Sequence, residues 1–141
     1  MRISFEGKQV LVAGGSRGIG RSIALAFAQA GADVSVCARG EAALRETEAA
    51  LQALGGKVHA AVCDIADPSA VQAWVDGAAA ALGGIGVLVN NASGFGRSDD
   101  EAGWATSIGV DLMGPVRASH AALPHPARPT GGATCCEHPP E

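Results

Sequence analysis

The stretch that limits this chain most is residues 10–20, VLVAGGSRGIG. A short apolar run breaks into glycines and then enters a helical pattern, with apolar residues at Ile19, Ile23, Phe27 and Ala30 before Gly31 supplies a stop. A helix N-terminus presents unpaired N–H groups and a partial positive charge. Placed directly after a strand, it is a ready receptor for phosphate. Glycines let the backbone turn sharply there and keep Cβ atoms out of a ligand's way. The stretch therefore predicts a strand–turn–helix unit that holds a nucleotide or dinucleotide. The bland alternative is an ordinary glycine-rich connection.

The rest of the chain repeats the alternation. Residues 8–13, 32–38, 57–63 and 85–89 read as short strands, mostly apolar on both faces. Residues 18–30 and 41–54 read as helices, the second ended by Gly55 and Gly56. Asp67 and Pro68 open a third helix, as a cap and a first helical residue, and it runs to Leu82. A polar loop over 93–100 leads to a last helical stretch over 101–123, with a kink expected at Gly114–Pro115 because proline removes a backbone donor. Strands apolar on both faces and separated by helices predict an α/β protein with an open, doubly wound parallel sheet. Its ligand should lie beyond the carboxyl ends of the strands, where strand order reverses.

Apolar residues make up 48% of the 141, ample for one core. The formal net charge of −4 and the lack of a basic stripe argue against a nucleic-acid partner. The N-terminus, MRISFEGK, has no apolar signal segment, and no run is long enough to span a bilayer, so a cytoplasmic protein is expected. Cys37 and Cys63 read as buried free thiols. Cys135, Cys136 and His138 cluster but lack a second ligand pair at finger spacing, so no metal site is expected.

Two sharper readings of the glycine turn compete. Gly14, Gly18 and Gly20 give the spacing G-x-x-x-G-x-G rather than the strict dinucleotide fingerprint G-x-G-x-x-G. Residues 15–22, GSRGIGRS, lie one residue from a phosphate loop of a nucleotide hydrolase, with Arg21 where that loop needs lysine.

The run VLVAGGSRGIGRSIALAFAQAGADVSVCAR resembles the opening of the short-chain dehydrogenase/reductase family, whose T-G-x-x-x-G-x-G motif has Ala13 here in place of threonine. Further motifs follow in order. Cys63-Asp64-Ile65 resembles the family's strand-three end, and Val89-Asn90-Asn91-Ala92-Ser93 resembles its N-N-A-G motif, with Ser93 for glycine. Val110-Asp111-Leu112-Met113-Gly114 resembles its N-L-x-G helix, with Asp111 at the catalytic asparagine position. The resemblance covers residues 3–123 and is nearest to the 3-oxoacyl reductase-like members. It implies a Rossmann-like sheet of four strands in the order 3-2-1-4. It implies a dinucleotide held by Gly14, Gly15, Ser16, Arg17, Gly18, Ile19 and Gly20, by Arg39, by Asp64 and Ile65, and by Asn90, Asn91 and Ala92. At the end of strand two, NAD-preferring relatives carry an acid that bonds the ribose 2′-hydroxyl. Here Ala38 and Arg39 stand there, and Arg17 adds a second cation, which is an NADP pattern. The alternatives are a solvated loop arginine for Arg39 and a turn or cap aspartate for Asp64.

The family transfers a hydride between the nicotinamide and a carbonyl or alcohol carbon. A Tyr-x-x-x-Lys pair and a serine manage the proton, a general acid tuned by a neighbouring cation. This sequence has no tyrosine, and its only lysines are Lys8 and Lys57. His120 and His125 are weak substitute bases, and Asp111 is a candidate polar or water-holding group. Residues 124–141 hold five of the seven prolines and no leucine, isoleucine or valine. They read as an irregular tail after a domain over 1–123, in the manner of a shifted reading frame or a truncation. Strand four is then an open edge, which predicts marginal stability and a tendency to aggregate. The implied partners are a nicotinamide dinucleotide, a small carbonyl or alcohol substrate and a second copy of the chain. A non-catalytic nucleotide-binding remnant is the competing function, and a phosphate-loop hydrolase the third.

Overall fold

The computed structural model describes residues 3–128. β1 (Gln9–Ala13) leads through the glycine turn to α1 (Gly18–Gln29), and β2 (Asp33–Ala38) to α2 (Glu41–Gln52). β3 (Val58–Val62) is followed by α3 (Pro68–Leu82), and β4 (Val87–Asn90) by α4 (Glu101–Ser107) and α5 (Met113–Ala122). The strands form one parallel sheet in the order β3-β2-β1-β4, as expected. β1 is the centre, with Val12 opposite Val36 on one side and Val89 on the other.

The period-two alternation of β1 divides the core into two layers. Val10 and Val12 face α1 and α2, where Val34, Val36, Ala24, Ala28, Leu44 and Leu51 complete an apolar layer. Leu11 and Ala13 face α3 and α5, where Trp74, Val75, Ala78, Leu82 and Ala118 pack. Burial on both faces explains why the strands read as continuous apolar runs. α3 begins where its cap and proline place it: Asp67 accepts from the N–H groups of Ser69 and Ala70 at 2.9 and 3.4 Å. Gly83 ends it in the left-handed conformation at φ +85°.

The last helical stretch differs from the expectation of one kinked helix. It is α4, a π turn over Ile108–Leu112, and α5. The wider bonding is visible in the Met113 N–H, which donates to the Ile108 carbonyl five residues back. Pro115 has no N–H to give the Asp111 carbonyl, and its ring would press on that carbonyl in an α-helix. The irregularity therefore spreads upstream of the proline as a π turn.

Residues 124–128 are irregular and tied to the fold. His125 Nε2 lies 2.8 Å from Asp76 on α3, and the Arg128 backbone N–H donates to the buried Gln9 side chain at 3.1 Å. The Arg128 guanidinium reaches Asp33 at 3.1 Å, at the start of β2. These contacts satisfy polar groups at the amino ends of β1 and β2, away from the site described below.

One buried polar network crosses the core. Trp74 Nε1 donates to Ser35 Oγ at 2.9 Å, and Ser35 Oγ lies 2.9 Å from His59 Nδ1. Indole can only donate, so Ser35 Oγ accepts from Trp74, and in the tautomer with Nδ1 bare the Ser35 hydroxyl donates to His59. That bond needs the nitrogen unprotonated, and burial lowers the His59 pKa below the ordinary 6.5, with Glu48 opposing it. A histidine lowered on folding contributes stability above its unfolded pKa and loses it as pH falls below that value. Unfolding free energy should therefore fall between about pH 7.5 and 5.5, and fall less in His59→Gln. Ser35→Ala should cost about 1–3 kcal/mol by stranding the Trp74 indole N–H. Urea denaturation at the two pH values checks both.

Candidate functional site

Beyond the carboxyl ends of β1, β2 and β3 the chain leaves an open cleft of about 610 Å³. It lies where β2 and β4 depart from opposite sides of β1, so that successive crossovers run in opposite directions. Its floor is the glycine turn. The N–H groups of Gly14 and Gly15 both donate to the Cys37 carbonyl, at 3.0 and 3.1 Å, which pulls the turn towards β2. Asn91 Nδ2 donates to the Gly14 carbonyl at 3.1 Å, which ties it to the end of β4.

Glycine is required here for two separate reasons. Gly14 has φ +75°, and a Cβ on it would sit 2.9 Å from Ala92 Cα. A Cβ on Gly20 would collide with the Gly14 carbonyl and the Asn91 amide. α1 therefore lies directly against β1 and β2, with its start beside Asn91, and its N-terminus opens into the cleft through Gly18 and Ile19. Its N-cap residue, Arg17, makes no side-chain cap bond. α2, whose N-cap Gly40 also lines the cleft, has no side-chain cap either. By contrast α3 and α4 are capped by Asp67 and Asp100. The two helix starts that open into the cleft thus keep N–H groups for a ligand.

Of the residues singled out from sequence, Gly14, Ser16, Arg17, Gly18, Ile19, Arg39, Asp64, Ile65, Asn91 and Ala92 line this one cleft. Gly15, Gly20 and Asn90 do not. Gly15 backs onto Val36, Gly20 onto the Gly14 carbonyl, and Asn90 is exposed at the strand end. Asp64 lines the cleft and also accepts the Ala66 N–H at 3.0 Å, so it is a turn aspartate as well. Asp111 is exposed in the π turn, and its carboxylate receives the Gly94 N–H at 3.4 Å. That bond steadies the loop after β4, beside the cleft rather than in its lining. His120 and His125 lie outside the lining. Cys135, Cys136 and His138 fall outside the described residues. Among the described residues no group of three or more His, Cys, Asp or Glu could hold a metal. No described helix is long and apolar enough to cross a membrane.

Sequence reading missed several lining residues. Cys37 and Cys63 lie side by side in the cleft wall. The hydrogen bond between them and burial push the Cys37 thiol far above its usual range, and the same bond lowers Cys63. Phe95 lines the mouth, exposed, at φ +49°, with the Arg97 guanidinium 5.9 Å from its ring centre. Its contribution had no sequence signal, because the loop's composition reads simply as polar.

An open parallel sheet whose glycine turn and helix start face a cleft at the switch point is the Rossmann-like α/β architecture. The chain belongs to the short chain dehydrogenase family, which it matches over residues 8–134. It is 41% identical over 126 residues to a short chain dehydrogenase/reductase of Macrophomina phaseolina, an alignment covering 85% of this chain and 72% of the relative. A short chain dehydrogenase from Burkholderia cenocepacia, solved in complex with NADP, superposes with a TM-score of 0.82 at 37% identity, over 89% of this chain and 53% of that one. One from Burkholderia phymatum, solved with NAD, superposes with a TM-score of 0.79 at 30% identity, over 88% and 46%. The chain thus spans about half the length of these structures, and 46% and 47% of two further curated relatives.

The close approach at Gly20 is directly testable. Gly20→Ala should lower the unfolding free energy by about 1–3 kcal/mol, since the added methyl has rigid backbone against it. Gly40→Ala is the matched control, because a Cβ there meets nothing within 4 Å. Urea titration of the pair should show a shifted midpoint in the first variant alone.

Proposed function

We propose that the cleft binds NADP(H) in preference to NAD(H), as the cofactor-binding part of an oxidoreductase acting on a small carbonyl or alcohol. The observation that carries the reading is the charge in the cleft. Arg39, at the end of β2, and Arg17, in the turn, both line it, and neither has an ion pair among the described residues. The β2 end offers Ala38 where an acid would grip a free 2′-hydroxyl. Two unpaired guanidiniums suit a 2′-phosphate through charge-assisted, bidentate bonds.

The rest of the lining fits a dinucleotide. The glycine turn and the uncapped α1 start would take the pyrophosphate. The side chain of Ile19 is 74% exposed although apolar, and a ligand in the cleft would cover it. Asp64 and Ile65 would flank the adenine, and Asn91 and Ala92 would border the nicotinamide ribose. NADP is found in the Burkholderia cenocepacia structure, while the Burkholderia phymatum protein holds NAD, so the arginines have to decide.

NADP(H) supplies hydride transfer when bound; this chain's own residues bind and orient it. No tyrosine is present to serve as the family's proton donor. The 141-residue chain should therefore bind cofactor without turning over carbonyl substrates. Titration followed by NADPH fluorescence should give saturable binding, with NADH weaker by about tenfold or more, the worth of a charge-assisted bond pair. Arg39→Asp should remove most of that preference. Equal affinities for the two cofactors would refute the NADP reading, and steady NADPH oxidation with a carbonyl panel would refute the non-catalytic one.

A further inference from the structure

We infer that Thr47, a buried residue of α2 outside the cleft lining, is a positioning residue for the phosphate-binding turn. The inference rests on the dinucleotide reading of the cleft and adds a residue that no motif marks. Thr47 Oγ1 donates to the Ser16 carbonyl at 3.1 Å, across 31 positions of sequence. The side chain is fully buried. It sits between Leu44 and Leu51 on the inward stripe of α2, where an aliphatic residue would serve packing equally well.

The direction of the hydroxyl matters. A threonine within a helix ordinarily bonds the carbonyl four residues back. Thr106 in α4 does this, donating to Ala102 at 2.9 Å. Thr47 sends its hydrogen out of its own helix to the turn instead.

The position of its acceptor matters too. Gly14 and Gly15 are held by the Cys37 carbonyl, and Gly14 also by Asn91. Ser16 is the next residue, and Arg17, Gly18 and Ile19 beyond it are exposed. Thr47 therefore anchors the turn at the last point before the stretch whose N–H groups face the ligand. It also links two subsites. The N-cap of α2 is Gly40, directly after Arg39, and its second turn carries Thr47. One rigid helix thereby fixes the distance between the end that reads the 2′-phosphate and the turn that takes the pyrophosphate. A carbonyl held by a buried donor cannot rotate inwards, where its negative end would oppose the phosphates.

The test uses the full chain as wild type, Thr47→Val and Thr47→Ser. Valine keeps the shape and β-branching and removes the donor; serine keeps the donor. Hydrogen exchange on ligand-free protein reads the turn directly. In Thr47→Val the bonded amides on either side of Ser16, those of Gly14, Gly15 and Arg21, should exchange faster while those of β1 keep their protection, and Thr47→Ser should restore the wild-type rates. Fluorescence titration should show NADPH binding weakened by about three- to tenfold in Thr47→Val, the worth of one hydrogen bond. Competition by adenosine 2′-monophosphate, which has no 5′-phosphate to reach the turn, should change less than twofold or so on the same scale. A residue that merely supports α2 would weaken both ligands alike and would lower the melting temperature without a local exchange change. Unchanged exchange at Gly14, Gly15 and Arg21, or parallel losses for NADPH and adenosine 2′-monophosphate, overturns the inference. Failure of the wild type to bind any dinucleotide overturns instead the functional reading on which it rests, and the exchange data then decide alone whether Thr47 holds the turn.

Discussion

The approach of Gly20 to the Gly14 carbonyl decides where α1 can lie, and most of the molecule follows from it. With no side chain at position 20, the helix start rests on the carboxyl ends of β1 and β4. Asn91 completes that contact by bonding the same Gly14 carbonyl, so the turn, the helix start and the end of β4 meet at one group. On the other side Gly15 lets Val36 of β2 close against the turn. Any larger residue at these points would lift α1 off the sheet and close the cleft. The receptive helix terminus is thus a consequence of backbone packing, and the chain needs no charged side chain to create it.

The architecture was legible for the same reason. Glycines with a positive φ or a close backbone neighbour must stand where they do, and strands buried on both faces must be apolar throughout. The alternation of strand and helix and the Asp67–Pro68 helix start could therefore be read from the letters, while strand order and the gathering of Arg39, Asp64 and Asn91 at one cleft followed from the resemblance of the motifs to the family. The strand ends moved by a residue or two, because the last residues of an apolar run look like the first of a loop. The π turn was not legible. Pro115 announces a missing donor, but whether the helix kinks at the proline or widens ahead of it depends on packing against β4 and α3. Thr47 and Phe95 were invisible too, since a hydroxyl's partner thirty positions away, or a left-handed φ at an aromatic residue, leaves no pattern along the sequence.

The segment over 124–128 makes a different point. Proline and the absence of branched aliphatics in 124–141 mark it as irregular, and the described residues 124–128 form no helix or strand. Irregularity does not prevent attachment: Arg128 meets Asp33, and its backbone meets Gln9, at the ends of two central strands. The two buried polar residues that open β1 and β2 would otherwise need water. Composition tells which backbone shapes a segment can take, while hydrogen-bond bookkeeping tells what it is tied to.

The cleft divides recognition from chemistry. Its cations are guanidiniums, which hold anions but do not release protons at any working pH. The Cys37 thiol is kept protonated by burial and by its neighbour, so it cannot serve as a base. The Asp64 carboxylate is engaged by the Ala66 N–H, and Asp111 by that of Gly94. Beside the Cys63 thiol, whose pKa the bond to Cys37 lowers, what remains is a surface of backbone donors, apolar contacts and fixed positive charge, the properties needed to grip a phosphorylated ligand. On the proposed reading the grip on a dinucleotide draws on β1, α1 and the end of β2, and proton chemistry would have to come from groups outside this set of contacts, so binding and turnover are separable.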